Sequence, residues 1–247
     1  GCPAANILAT NPSGNNLTQL ESQYGIQINN NNTEAAEFGA VIILAVKPQK
    51  LSLVCEQLAK SNLNDKLIIS IAAGYPTEKI KQNLAQSPAI IRCMPNTPAL
   101  IGKGASGLFA TDKVSNQQKS LAETVFQAVG KTVWINKESD MDIVTAIAGS
   151  SPAYFFLMMQ AMLEQAVAAG LSEKAAFELI TQSASGAAQL AQDKSDLSLQ
   201  ELRENVTSPG GTTAAAITSF QKNGFKDIIK LAVNSSIERG KELGELN

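Results

Sequence analysis

Residues 40–46, Ala-Val-Ile-Ile-Leu-Ala-Val, are apolar throughout, and the run stops at Lys47-Pro48. A run of this length without polar alternation fits a strand buried on both faces, which is the setting of a parallel sheet. Two more buried strands are predicted: residues 66–72 lead into Ala73-Gly74, and residues 89–94 lead into Pro95-Asn96-Thr97-Pro98. Helical segments separate them, over about 49–60 and from Thr77, read as an N-cap, to about 85. Shorter strands are predicted at 7–10, 26–28, 107–111 and 132–135. Helices are predicted at 17–24, ended by Gly25, and at 116–129, with the Asn29-to-Asn32 run as a loop. Strands alternating with helices imply a parallel sheet covered on both faces.

Beyond residue 137 the strand signals cease. Ser150-Ser151 opens a long helix to Ala169, with Pro152 in its first turn and Gly170 as its stop. A helix from Ser172 to about Gln192 follows, then shorter ones at 199–205, 214–223 and 227–243. The expected organisation is therefore a dinucleotide-binding domain over 1–137, lacking its N-terminal part, and an all-helical domain over 138–247. Ser183, Gly186, Ala187 and Ala191 recur at helical spacing. They suit close packing either within the chain or between subunits.

Composition narrows the chemistry. The chain contains no histidine, which removes Ser-His-Asp and Cys-His hydrolases and most catalytic zinc sites. Protons must be managed by Lys, Tyr, Asp, Glu, hydroxyls or water. A net charge of -2 gives no footprint for nucleic acid. No apolar run approaches the roughly 20 residues of a membrane span, so no membrane partner is expected. Cys2, Cys55 and Cys93 form no CxxC pair and read as reduced thiols in a cytoplasmic protein.

Ligands of an open parallel sheet bind beyond the carboxyl ends of its strands. Three turns there are built from small residues or from Pro, Asn and Thr: Ala45-Val46-Lys47-Pro48, Ala72-Ala73-Gly74 and the Met94-to-Pro98 loop. Together they point to a nucleotide site. Asn11-Pro12-Ser13 follows the first visible strand without an acidic residue, which leans toward NADP rather than NAD. No G-x-G-x-x-G fingerprint is present. It belongs before residue 7, so a preceding strand and glycine-rich loop are expected upstream of Gly1. Lastly, Asn205-Val-Thr-Ser-Pro-Gly-Gly-Thr-Thr213 runs directly into a helix. Its glycines and the helix N-terminus suit a carboxylate or phosphate, and Ser208 and Thr213 add hydroxyls.

These motifs, in this order, resemble the pyrroline-5-carboxylate reductases. The resemblance runs from Ile7 onward and rests on AVKP (45–48), SIAAG (70–74), RCMPNTP (92–98), GSSPAYFF (149–156) and above all VTSPGGTT (206–213). It implies a Rossmann-like α/β domain followed by an all-α dimerisation domain, with dimers assembling into decamers. It implies NAD(P)H-dependent reduction of 1-pyrroline-5-carboxylate to L-proline in the cytoplasm, NADPH being expected and NADH the alternative. Cofactor contacts would fall on Asn11, Pro12, Ser13, Asn32, Ala45, Val46, Lys47, Pro48, Ala72, Ala73, Gly74 and Asn205. Substrate contacts would fall on Glu138, Ser208, Gly211, Thr212 and Thr213, with the Thr213 hydroxyl at the ring nitrogen as the catalytic group. Pro12 departs from the family, which commonly has Arg there. Two other readings compete. One is another NADP-dependent enzyme with a Rossmann domain followed by helices, a reductase of a different imine or a hydroxyacid dehydrogenase; the latter would need a Lys base on the long helix, and residues 150–170 contain no Lys. A non-catalytic truncated paralogue is suggested by the missing glycine loop.

Overall fold

The computed structural model describes residues 2–246 apart from positions 12, 13 and 15. The chain falls into two compact units, one formed by Gly1–Ser150 with Ser235–Asn247 and the other by Ser151–Asn234.

The first unit opens with β1 (Leu8–Thr10), α1 (Leu17–Tyr24), β2 (Gln27–Asn29) and α2 (Asn32–Phe38). Gly25 ends α1 in the left-handed region at φ 65°. The expected loop at 29–32 is shorter than its polarity suggested. Asn31 caps α2, its side-chain oxygen accepting from the N–H groups of Thr33 and Glu34, so the asparagine run starts a helix. Next come β3 (Val41–Leu44), α3 (Pro48–Leu58), β4 (Leu67–Ser70), α4 (Thr77–Leu84) and β5 (Ala89–Met94). These runs become strands, as expected, and β4 is buried along its whole length; β3, at the edge of its sheet, is not buried on both faces as expected and leaves Ile43 exposed. Then follow β6 (Gly104–Ala110), α5 (Asn116–Gln127) and β7 (Gly130–Trp134).

Strands β3-β4-β5-β6-β7 form one sheet in that order, while β1 and β2 pair separately and in parallel. Pairings within the five-stranded sheet are parallel except β5 with β6, which is antiparallel. That exception to an all-parallel expectation has a simple cause. Only a short 3-10 turn, Thr97–Ile101, joins the two strands, and a parallel return needs a crossover of about a dozen residues or more. Aliphatic cores lie on the sheet's two faces. One includes Leu44, Leu51, Ile68, Tyr75, Ile80 and Ile90; the other includes Ile69, Ile91, Cys93, Leu108 and Phe126.

A short helix α6 (Met141–Val144) continues through a π-helical turn, Thr145–Gly149, into α7 (Ser151–Ala168). Ser150 therefore does not open a new helix. The continuous stretch Glu138–Ala168 is 31 residues long and, by length and composition, apolar enough to cross a membrane. No apolar run that long exists in the linear sequence; the π turn joins shorter ones. The π turn packs against β5 at Gly149, where a Cβ would press on the end of the flexible Met94 side chain.

The second unit holds α7, α8 (Glu173–Asp193), α9 (Leu199–Asn205), α10 (Thr212–Lys222) and the first part of α11 (Phe225–Leu246). Ser172 caps α8 by accepting from the N–H of Ala175. Within this unit, among the described residues, Ala176 is the one fully buried hydrophobic side chain. Phe155, Phe156, Leu157, Phe177 and Leu179 are each more than half exposed. Helices this apolar bury their faces against a partner.

Candidate active site

In the first unit, β3, β4 and β5 end at one edge of the sheet. The 45–48 turn links β3 to α3, and the 72–74 turn lies between β4 and α4. Ala45 and Lys47 are exposed and Ala73 is half-buried. Small, accessible residues at adjacent strand ends let a flat ring or ribose lie against the backbone, and Pro48 occupies the first turn of α3, where its missing N–H costs nothing. These positions fit a dinucleotide.

Gly74 has a different part in that turn. It lies at φ 62°, and a Cβ on it would come within 2.9 Å of Leu243 Cβ in the C-terminal part of α11. Lys79 donates to the carbonyls of Gly244 and Glu245 on the same segment. Gly74 is thus required by the packing of α11 and is itself buried, which leaves Ala73 as the open position of the three.

Asn32 is 7 % exposed. Its side-chain oxygen accepts from the Thr10 hydroxyl at 2.9 Å and its amide donates to Gln57 at 2.7 Å. The side chain is therefore engaged in joining β1, α2 and α3. Asn11 closes β1 by donating its N–H to the Asn29 carbonyl. Pro12 and Ser13 lie outside the described residues.

Glu138 sits in a 3-10 turn, Glu138–Asp140, after β7. Its carboxylate accepts from the Thr77 N–H at 2.7 Å and the Thr77 hydroxyl at 2.6 Å. Thr77 is therefore the first residue of α4, served by Glu138 from outside, and not the N-cap expected of it; Pro76 occupies that place. An acidic group at a helix N-terminus is stabilising. Arg92, 5 % exposed on β5, reaches Glu138 at 3.5 Å and Asp142 at 3.6 Å. None of Thr77, Arg92 and Asp142 is among the site residues the sequence led us to expect. The signal for Arg92 was available: a lone charge inside the apolar strand Ala-Ile-Ile-Arg-Cys-Met must find partners. Asn96, in the third turn, donates to the Ala148 carbonyl at 3.0 Å and accepts from the Ala105 N–H at 2.9 Å. It pins the π turn to β6.

In the second unit, Asn205 ends α9 and the 208–211 segment forms a tight turn. The Gly211 N–H donates to the Ser208 carbonyl at 3.0 Å. Pro209 and Gly210, the latter at φ 71°, occupy the two central positions that a type II turn reserves for Pro and Gly. Gly211 is the N-cap of α10, no side chain caps that helix, and its first turn contains no acidic residue. The N–H groups of its first turn have no intrahelical acceptors, and Thr212 and Thr213 are exposed beside them. With no side-chain cap and no acidic residue in its first turn, this positive helix end suits an anion such as a carboxylate. The 205–213 residues expected to act together thus lie on one short segment.

Comparison with known proteins places these features. The family model described as "Pyrroline-5-carboxylate reductase dimerisation" matches residues 138–243, and one described as "NADP oxidoreductase coenzyme F420-dependent" matches residues 1–74. A pyrroline-5-carboxylate reductase of Pseudomonas aeruginosa is 44% identical over 245 residues, covering 99% of this chain and 89% of the relative. The structure of a pyrroline-5-carboxylate reductase from Coxiella burnetii superposes with a TM-score of 0.90 at 37% identity, covering 97% of this chain and 89% of that one. That of a Plasmodium falciparum pyrroline carboxylate reductase with NADP bound superposes with a TM-score of 0.86 at 33% identity, covering 98% and 88%.

Proposed function

Since this chain belongs to the pyrroline-5-carboxylate reductase family, we propose that it reduces 1-pyrroline-5-carboxylate to L-proline and that its residues divide the work as follows. NAD(P)H, when bound, supplies the hydride that reduces the imine carbon. The 45–48 turn, the 72–74 turn, Asn11, Pro12, Ser13, Asn32 and Asn205 hold the cofactor, Asn32 through its backbone because its side chain is already bonded. NADPH is the preferred form.

The uncapped N-terminus of α10 is the observation that carries the reading. Its free N–H groups, with Ser208, Gly211, Thr212 and Thr213, hold the substrate carboxylate. The Thr213 hydroxyl hydrogen-bonds the ring nitrogen. A cyclic imine is basic enough to take its proton from water, so positioning supplies much of the acceleration, and the absence of histidine is no obstacle. Glu138 contributes a further substrate contact. The chain assembles through its dimerisation region into dimers and then decamers, as a soluble cytoplasmic enzyme without nucleic-acid or membrane partners. Residues 1–137 form the dinucleotide-binding domain and residues 138–247 the helical domain of substrate binding and dimerisation, which also supplies Asn205 to the cofactor. The test is steady-state reduction of pyrroline-5-carboxylate by NADPH. Thr213→Ala is expected to lower kcat/KM for the imine, and an unchanged value would remove Thr213 from the chemistry.

A further inference from the structure

Tyr75 directly follows Gly74 and is among the largest fully buried side chains of the first unit, at 1% exposure. Its ring lies in an aliphatic cluster with Leu51, Ile80 and Leu84. A phenylalanine would satisfy that cluster equally well. The hydroxyl is what distinguishes the site, because a buried phenol must find partners. It has two: Asn83 donates its amide to the Tyr75 hydroxyl at 2.6 Å, and Ser52 lies at 3.3 Å from the same oxygen. Asn83 also donates to Ser52 at 2.9 Å, closing the triangle.

Each corner lies on a different element of the first unit. Ser52 is one turn into α3, the helix launched by the 45–48 turn. Asn83 is in the last turn of α4, the helix that follows the 72–74 turn. Tyr75 belongs to the connection between β4 and α4 itself. We propose that Tyr75 is a positioning residue for the nicotinamide cofactor, its hydroxyl fixing the spacing of the two turns by tying α3 to α4. The inference rests on the reading that these turns bind the cofactor. The strand ends are already held by β3–β4 pairing, with Leu44 opposite Ser70. Sheet pairing does not set how α3 and α4 lie over one face; their shared aliphatic cluster packs them together, and the triangle adds directional bonds that link them. A small displacement of positioning groups is enough to weaken a bound arrangement.

The test uses the whole enzyme and reads NADPH dissociation by fluorescence titration, together with Tm and steady-state constants. Tyr75→Phe is expected to raise the NADPH Kd about fivefold, the equivalent of one ordinary hydrogen bond. The kcat at saturating NADPH and the KM for pyrroline-5-carboxylate should stay within about twofold of wild type, because that difference lies in cofactor binding. Ser52→Thr, which keeps a hydroxyl, is expected to retain the wild-type Kd, and Ser52→Ala to raise it; the latter also serves if Tyr75→Phe does not fold. A lower Tm with an unchanged Kd in both Tyr75→Phe and Ser52→Ala would overturn the proposal, leaving Tyr75 a packing residue. Ala73→Asp separates the two levels. If it weakens NADPH while Tyr75→Phe does not, this inference alone fails; if it leaves the Kd unchanged, the assignment of the turn to the cofactor fails and takes this inference with it.

Discussion

Thr77 gives Glu138 both of its donors, the backbone N–H at 2.7 Å and the hydroxyl at 2.6 Å. One carboxylate thus terminates α4 although it lies 61 residues away along the chain. Replacing Thr77 by Val removes the hydroxyl bond and keeps the shape. We expect a loss of about 1 kcal/mol in urea unfolding, as for the removal of a helix cap. Thr77→Ser should recover most of it.

Arg92 is held between Glu138 and Asp142, whose side chains are 25% and 17% exposed. Removing the cation leaves two carboxylates facing each other in a half-buried place. Arg92→Met is expected to cost about 3 kcal/mol in the same measurement. Adding Asp142→Leu should return part of that loss, which a double-mutant cycle would read.

Gly210 lies at φ 71°, where a side chain is strained. Gly210→Ala is expected to destabilise the turn by about 1 kcal/mol. The KM for pyrroline-5-carboxylate should rise while the NADPH Kd holds, since the turn presents the α10 N-terminus. Equal rises in both would argue against a substrate role for this segment.

Burial pushes the thiols of Cys55 and Cys93 up to about 12, while Cys2 is exposed. A raised folded pKa stabilises the native state in full below the unfolded value of 9.0. That contribution is lost as pH climbs toward about 12, because the unfolded chain gives up its thiol protons first. Native protein at pH 8 should therefore show fast reaction of Cys2 with a disulfide reagent, with Cys55 and Cys93 released only on unfolding. Fast reaction of more than one thiol would contradict this.

Phe156 and Leu157 are 63% and 68% exposed on α7, in the region matched by the dimerisation family model. A charge placed there, as in Phe156→Glu, is expected to shift the protein to smaller species in light scattering. An unchanged mass would place the interface on another face.

The sheet was legible because β3, β4 and β5 are short, mostly aliphatic runs bounded by turn residues, interrupted in β5 only by Arg92. The helix starts were legible where the cap is local, as at Ser172. They were misread where the partner is remote: Thr77 has the composition of an N-cap, yet its hydroxyl serves Glu138. The antiparallel β5–β6 pairing was hidden because strand direction depends on the length of a connection and not on the strand's own residues. At the candidate site, the glycine-rich turn before α10 was fully local and could be read. The packing demand on Gly74 could not, since its neighbour Leu243 is brought there only by the tertiary fold.

The first unit is discontinuous: residues 235–247 return to it after the whole of the second unit has intervened. During synthesis the Rossmann-like sheet can form early, but the segment that packs on Gly74 and engages Lys79 leaves the ribosome only after the helical region has been made. The nascent chain must therefore carry an unfinished cofactor edge until translation has passed the helical region. Maturation of the nucleotide-binding half is timed by the production of this later segment, so a chain stalled within the helical region would have a formed sheet without the helix that closes one of its key turns.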